Sequence, residues 1–184
     1  AAGRACCVIE PKSQLIDRIL ETAPRDAAGQ IVVLDATDKE APVGFNPLDA
    51  GDRDPDIVVD GILAALGAVF HDGWGPRTEY LVQGALLSLA RAGQRRAEPY
   101  TLIDLPRLLT DSAFRRPVIA AVQDDPTLSA FWAEFEEMRP AQRAAVIASP
   151  LNKLRKIVMR GPLVRVLGQS QPRFRLRDIF REKK

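Results

Sequence analysis

Residues 42–49 read Pro42-Val43-Gly44-Phe45-Asn46-Pro47-Leu48-Asp49, and they divide the chain into two parts with different hydrophobic patterns. Before this boundary segment, apolar residues form short continuous runs of strand length. After it, apolar residues recur with the spacing of α-helices for about a hundred residues. The sequence therefore predicts a mainly α protein, in which a multi-helix all-α region follows a small parallel β-α-β piece.

The part before the boundary segment predicts two buried strands joined by one helix. Ala5-Cys6-Cys7-Val8-Ile9 and Gln30-Ile31-Val32-Val33-Leu34 are apolar runs, and residues 15–20 between them carry one apolar helix stripe. Two such strands should be parallel, with a right-handed crossover. Ligands of open parallel sheets bind at the carboxyl ends of the strands, where Glu10 and Asp35 would lie. The alternative is that both acids only cap or solvate the strand ends.

The part after the boundary segment carries repeated signals for helix starts. Asp54, Asp111 and Asp125 are N-cap candidates, and a proline at the first helical position follows the first and the last of them. Thr101 and Asp104 have the spacing of a variant capping box. Apolar residues at helical spacing follow these starts, which predicts that each helix buries one face.

Two features of these helices predict tight packing. Apolar residues recur at i, i+3, i+4 and i+7 within residues 128–135, which include Phe131 and Trp132. We expect these aromatic side chains in the core rather than on a base-stacking surface. Gly84 lies with Tyr80 on the apolar face of the preceding long helix, and its missing side chain would let a neighbouring helix approach closely.

The composition excludes several kinds of site. His71 is the only histidine, so histidine-based metal sites and Ser-His-Asp or Cys-His catalysis have almost no candidates. No Gly-x-x-x-x-Gly-Lys-Ser/Thr phosphate loop occurs. The neighbours Cys6 and Cys7 would point to opposite faces of a strand, so we expect buried, reduced thiols of a cytosolic protein. No apolar run of about eighteen residues predicts a membrane helix, and the start of the chain lacks signal-peptide features.

The charge of the chain is unevenly distributed. Residues 1–138 carry 13 Lys and Arg against 22 Asp and Glu, whereas residues 139–184 carry 13 against 2. The basic end is therefore a candidate contact for DNA or another partner. The alternative is that it balances the acidic part within the fold or across a subunit interface. The candidate contact residues are Lys153, Arg155, Lys156, Arg160, Arg173, Arg175 and Arg177.

Several short motifs, in this order, resemble the TraG/TraD-type coupling ATPases of type IV secretion and conjugation. Each motif is weak, but their order over most of the chain is fairly specific. They are Val8-Ile9-Glu10-Pro11-Lys12, the boundary segment, Trp74-Gly75-Pro76-Arg77, Leu86-Leu87, Leu105-Pro106-Arg107-Leu108-Leu109-Thr110-Asp111, Phe131-Trp132, Leu151-Asn152-Lys153-Leu154 and Leu167-Gly168-Gln169-Ser170.

The resemblance implies a domain organisation. Members of that family are membrane-anchored hexameric motors, in which an all-helical domain is inserted into a RecA-like nucleotide-binding domain. Residues 1–48 would be a partial RecA-like domain, residues 49–168 the helical domain, and residues 169–184 a return segment toward the nucleotide-binding domain. The chain would begin after the phosphate loop and end before the second acidic nucleotide motif.

The resemblance also implies a cofactor and partners. The parent family uses ATP and Mg²⁺, whereas this part would hold no cofactor and would not be an enzyme by itself. Glu10 and Lys12 would lie nearest the nucleotide, although Glu10-Pro11-Lys12-Ser13 departs from the usual Asp-Pro-Lys/His-Gly. The helical domain would recognise a relaxase-DNA complex or a secreted protein, at the cytoplasmic side of the bacterial inner membrane. The alternatives are a direct DNA-binding module using the basic end and a stand-alone protein-interaction fragment.

Overall fold

α-Helices make up most of the chain in the computed structural model, which describes residues 6–12, 14–96, 98–172, 175 and 179. Short 3₁₀ helices span Arg25–Gln30 and Leu102–Asp104. The α-helices are α1 (Gln14–Thr22), α2 (Pro55–Val69), α3 (Pro76–Gln94), α4 (Leu105–Thr110), α5 (Ser112–Ala121), α6 (Pro126–Glu137), α7 (Pro140–Val158) and α8 (Gly161–Leu167). The mainly α prediction is therefore confirmed.

The predicted β-α-β piece is not present in the described part of the chain. The helix between the two apolar runs forms as α1, but residues 6–10 and 31–35 form no strand, and α1 buries no residue. Ile9 is 92% exposed, and Cys6 and Cys7 are exposed free thiols rather than buried ones. A strand needs a paired neighbour, and two short segments could form at most a sheet of marginal stability. The apolar runs indicated burial, which the described part of the chain does not provide.

The predicted helix starts are confirmed. The side chain of Asp54 accepts a hydrogen bond from the N–H of Asp56, and the side chains of Asp111 and Asp125 each accept two backbone N–H groups of their own helices. The backbone N–H of Thr101 donates to Asp104 Oδ2 at 2.8 Å, as the capping box requires. Each cap satisfies donors that a helix start leaves unpaired.

Helix α3 lies at the centre of the fold, where it contacts α2, α4, α5, α6 and α7. Small residues on α3 make this possible. A Cβ atom at Gly84 would lie 2.7 Å from the ring of Phe131, so only glycine allows α6 to approach this closely. The predicted close approach at Gly84 is therefore confirmed, and α6 supplies the partner.

The aromatic residues of α6 form the packing contact with α3. Trp132 is 2% exposed, and its ring meets the rings of Phe131 and Phe135 edge to face at centroid distances of 4.9 and 5.4 Å. Its indole N–H donates to Ser88 Oγ at 2.8 Å, and that hydroxyl donates to the carbonyl of Gly84 at 2.7 Å. The predicted core role of these residues is confirmed.

A buried arginine joins α4, α5 and α6. Arg115 is 2% exposed, and its Nε donates to Glu136 Oε1 at 2.5 Å. Its Nη1 donates to the carbonyls of Leu108 and Leu109 near the end of α4 at 3.0 and 3.5 Å. The guanidinium therefore satisfies carbonyl groups that the end of a short helix leaves without partners.

No helix in the described ranges combines the length and the apolar character that crossing a bilayer requires. The longest helices, α3 and α7, both carry several charged side chains.

Replacing Trp132 with alanine should lower the free energy of unfolding by about 3–5 kcal/mol, because the change leaves a cavity and removes the partner of Ser88. Denaturant unfolding followed by far-UV circular dichroism measures this change. Val69→Ala is the control, since Val69 is 68% exposed. An unfolding midpoint of Trp132→Ala that matches the wild type would show that the aromatic cluster is not a core.

Asp111 should make stability depend on pH. The N–H of Phe114, above all, and the side chain of Arg107 hold the pKa of Asp111 below its ordinary value. A folded-state pKa below the unfolded one gives stabilisation that is present at neutral pH and is lost as the pH falls through the folded value, below about pH 4. Asn can still cap a helix but does not titrate there, so Asp111→Asn should lose less stability between pH 7 and pH 3.

Thermal unfolding of the wild type and of Asp111→Asn at both pH values measures this difference. Asp60→Asn is the matched control, because Asp60 lies exposed on α2. Equal acid sensitivity of the wild type and Asp111→Asn would contradict the prediction.

Candidate functional site

The boundary segment lies against the end of α8 and the start of the return segment. The N–H of Phe45 donates to the carbonyl of Val166 at 2.9 Å. The side chain of Gln169 donates to the carbonyls of Pro42 and Arg165, both at 2.9 Å. The chain therefore leaves the helical region next to the place where it enters. We refer to the boundary segment together with Val166, Gln169, Ser170 and Arg175 as the junction.

Asn46 is the buried centre of the junction. Its Nδ2 donates to the carbonyl of Tyr100 at 3.0 Å and to that of Ser170 at 3.3 Å. Its Oδ1 accepts the N–H of Leu48 at 3.1 Å. One side chain thus joins the boundary segment, the loop before α4 and the return segment.

Gly44 allows the two segments to lie this close. A Cβ atom at this buried position would lie 2.7 Å from Cβ of Gln169, which is closer than such atoms normally approach. A larger residue would displace Gln169 from the carbonyl groups that it binds. Glycine is therefore required here for close approach rather than for an unusual backbone conformation.

A bidentate ion pair closes the far end of the junction. Arg175 Nε donates to Asp49 Oδ2 at 2.8 Å, and Nη2 donates to Oδ1 at 3.0 Å. Asp49 is buried and also accepts the N–H of Gly51 at 3.2 Å. Two parallel bonds to a guanidinium give a strong and oriented contact. A cavity of about 410 Å³ adjoins this pair, between the boundary segment, the end of α3 and the return segment.

The predicted DNA or partner contacts are only partly brought together. Lys153, Arg155, Lys156 and Arg160 lie on or just after the last turns of α7, where the helix dipole favours cations. The ammonium group of Lys153 donates to Ser149 Oγ at 3.0 Å. Arg155, Lys156 and Arg160 are exposed and form no ion pair with any residue that the structure describes.

The other three predicted contacts are elsewhere. Arg175 belongs to the junction, where Asp49 holds its guanidinium. Arg173 and Arg177 lie outside the described residues. The remaining predicted contacts, which we call the basic patch, are Lys153, Arg155, Lys156 and Arg160.

The predicted nucleotide contacts lie in a local turn. Glu10 Oε1 accepts the backbone N–H of Lys12 at 2.8 Å, and Lys12 is exposed. Asp35 accepts the N–H and the hydroxyl of Thr37, both at 2.7 Å, and the hydroxyl bond is the main reason why the pKa of Asp35 lies below its ordinary value. Both carboxylates accept hydrogen bonds within local turns, although neither turn follows a strand in the described part of the chain. A nucleotide contact at Glu10 and Lys12 stays a prediction.

An apolar groove was missed by the sequence analysis. It has a volume of about 440 Å³ and lies between the start of α3, the end of α6 and the first half of α7. Tyr80 was expected on the buried face of its helix, but it is 55% exposed and forms one wall. The groove is defined by Arg77, Tyr80, Phe131, Glu134, Met138 and Val146.

The described residues contain no group of three or more His, Cys, Asp or Glu side chains positioned to hold a metal ion. Comparison of the chain with protein-family models, with curated proteins and with solved structures gives no match. The resemblance of the sequence motifs therefore remains the basis of a proposal about family and function.

Replacing Gly44 with alanine should lower the free energy of unfolding by about 1–3 kcal/mol, because the added methyl group overlaps Gln169. Gly29→Ala is the matched control, since a Cβ atom there meets nothing within 4 Å. Denaturant unfolding of both variants measures the difference. If the two substitutions have the same effect, the close approach at Gly44 is not a constraint on the fold.

Proposed function

We propose that this chain is the helical substrate-recognition part of a TraG/TraD-type coupling ATPase, with flanking pieces of its nucleotide-binding domain. Its function would be to recognise a relaxase-DNA complex or a secreted protein in type IV secretion and conjugative DNA transfer. ATP and Mg²⁺ would be bound by the rest of a homohexameric parent protein at the cytoplasmic side of the inner membrane. This part would not hydrolyse ATP by itself, since its sequence has no phosphate loop.

The observation that carries the proposal is the junction. Two of the motifs on which the resemblance rests, the boundary segment and Leu167-Gly168-Gln169-Ser170, lie far apart in sequence but contact each other through Asn46 and Gln169. A domain inserted into another needs its two chain ends close together. The contact between these two motifs would hold the two chain ends of an inserted domain together, which explains why both motifs occur in one chain.

The exposed apolar side of the first forty residues also supports the proposal. Residues from both apolar runs and from α1 line one groove of about 390 Å³, which includes Val8, Ile19 and Val33. Contiguous apolar surface on one side of a segment usually marks contact with another protein surface. A parent nucleotide-binding domain would provide that surface.

Protein cargo is favoured over DNA by the arrangement of charge. Asp49 holds Arg175, so the predicted contact residues that the structure describes without a carboxylate partner are those of the basic patch at the end of α7. If all four of its residues contacted phosphates, the logarithm of the binding constant would fall with the logarithm of salt concentration with a slope of about 3.6. The acidic excess of residues 1–138 would further oppose a polyanion. DNA binding should therefore be weak and independent of sequence.

Titration of the chain with a relaxase or secreted protein from the same genetic element, and separately with single- and double-stranded DNA, tests this proposal. We expect protein binding that persists at physiological salt, and DNA binding only at low salt. A triple variant with Arg155, Lys156 and Arg160 changed to alanine should lose the DNA binding and keep the protein binding.

The matched control for this experiment removes the same charge elsewhere, by changing Arg18, Arg25 and Arg116 to alanine. All three side chains are exposed. The DNA-binding module would be favoured if the wild type binds DNA with submicromolar affinity at physiological salt. In that case the first triple variant should lose this binding and the control variant should retain it. The stand-alone interaction fragment would be favoured by two results together. The chain would bind protein whether or not DNA or salt is added, and its gene would encode no coupling ATPase.

A further inference from the structure

The groove between α3, α6 and α7 is a concave apolar surface with two charged side chains in its lining. Its floor consists of buried rings and aliphatic groups, including Phe131 and Phe135, and Tyr80 stands beside Phe131 with a ring centroid distance of 5.5 Å in an edge-to-face contact. Its volume of about 440 Å³ lies within the range of about 300–1,000 Å³ that is usual for ligand sites. An aromatic wall that its own fold leaves half uncovered is typical of a binding surface.

The rim of the groove carries two opposite charges without described partners. Arg77 lies in the first turn of α3, and Glu134 lies on the outer side of α6. Both side chains line the groove and are exposed. Neither forms a hydrogen bond or an ion pair with any residue in the described part of the chain, so both are free to pair with a ligand. A complementary occupant would have apolar groups against the rings, an acid toward Arg77 and a base toward Glu134.

The walls of the groove determine which backbone can lie in it. All three walls are helices, whose interior N–H and C=O groups are already paired within each helix. No described residue belongs to a strand, so the groove offers no sheet edge to an extended peptide. A strand laid on this floor would leave backbone groups unpaired, whereas a helix satisfies its own backbone and presents only side chains.

We infer that the groove binds an amphipathic α-helix of a protein partner, with apolar residues at i, i+3, i+4 and i+7 and charges of both signs along its flanks. This inference rests on the proposed function, because it takes the helix to belong to protein cargo. Tyr80 and Met138 enclose the apolar stripe of the helix. Arg77 and Glu134 select its flanking charges.

The probes are three fluorescein-labelled synthetic helices of about 18 residues, long enough for several turns. All three carry leucine at i, i+3, i+4 and i+7. One has glutamates on one flank and lysines on the other, the second has glutamates on both flanks, and the third has lysines on both. Fluorescence anisotropy with the whole chain measures the affinities.

The wild type should prefer the mixed peptide. Arg77→Glu should shift the preference to the lysine peptide, and Glu134→Lys should shift it to the glutamate peptide, each by about threefold to fivefold as for exposed ion pairs. Tyr80→Ala should weaken all three peptides. A mixed peptide with its leucines changed to alanine should lose at least about tenfold in affinity, since the apolar stripe provides most of the binding.

Matched controls introduce the same charge changes away from the groove. Arg116→Glu on α5 and Asp60→Lys on α2 replace exposed residues and should keep the wild-type preference for the mixed peptide. Peptide preferences that follow net charge alone, so that the controls shift as much as the groove variants, would overturn the inference. Equal binding of the alanine peptide would also overturn it.

The groove and the proposed function can fail separately. If cargo binds the wild type and binds Arg77→Glu and Tyr80→Ala equally well, the groove inference fails and the proposed function stands. If no cargo binds but the peptide preferences shift as expected, the groove is supported as a helix-binding surface and the proposed function fails. Self-association of the chain that Tyr80→Ala abolishes in sedimentation velocity would assign the groove to a second copy and overturn the inference.

Discussion

The close contact of α6 with α3 is the constraint on which the helical region depends. Gly84 lets the ring of Phe131 lie against the α3 backbone, and Ser88 gives the buried indole N–H of Trp132 its acceptor. Because α3 also contacts α2, α4, α5 and α7, a change in its distance from α6 would alter most other contacts of the fold. Dense interiors respond in this way, since neighbouring side chains have little free volume in which to adjust.

The helices were predictable because their signals are local. An N-cap acid, a proline at the first helical position and a repeating apolar stripe lie within a few residues of each other, and Asp54, Asp111 and Asp125 cap their helices as expected. The two predicted strands are absent from the described residues, because strand formation does not depend on local signals alone. Residues 6–10 and 31–35 have the composition of buried strands, but a strand also depends on the neighbours that pair with it, which a short apolar run does not specify.

The candidate sites show the same limit. The sequence identified the boundary segment and Gln169-Ser170 as motifs, but not that Asn46 would bind the carbonyl of Ser170. Charge composition suggested Arg175 as a contact for DNA or another partner, whereas the structure pairs it with Asp49 within the fold. The groove depended on the orientation of α3, which leaves the side chain of Tyr80 55% exposed. Arg115, buried between three helices, had no signal in the sequence that separates it from the exposed Arg116.

The geometry of the junction has a mechanical consequence. If the flanking segments are pulled apart, the load falls first on the bonds of Gln169, Asn46 and the ion pair between Asp49 and Arg175, which join the two chain ends directly. The bonds of Phe45 and Gln169 to carbonyl groups of α8 would carry part of this load into α8. The helices that the junction does not touch would carry less of this load, because part of it would pass directly between the two chain ends. Their packing would then depend little on movement of the flanking segments.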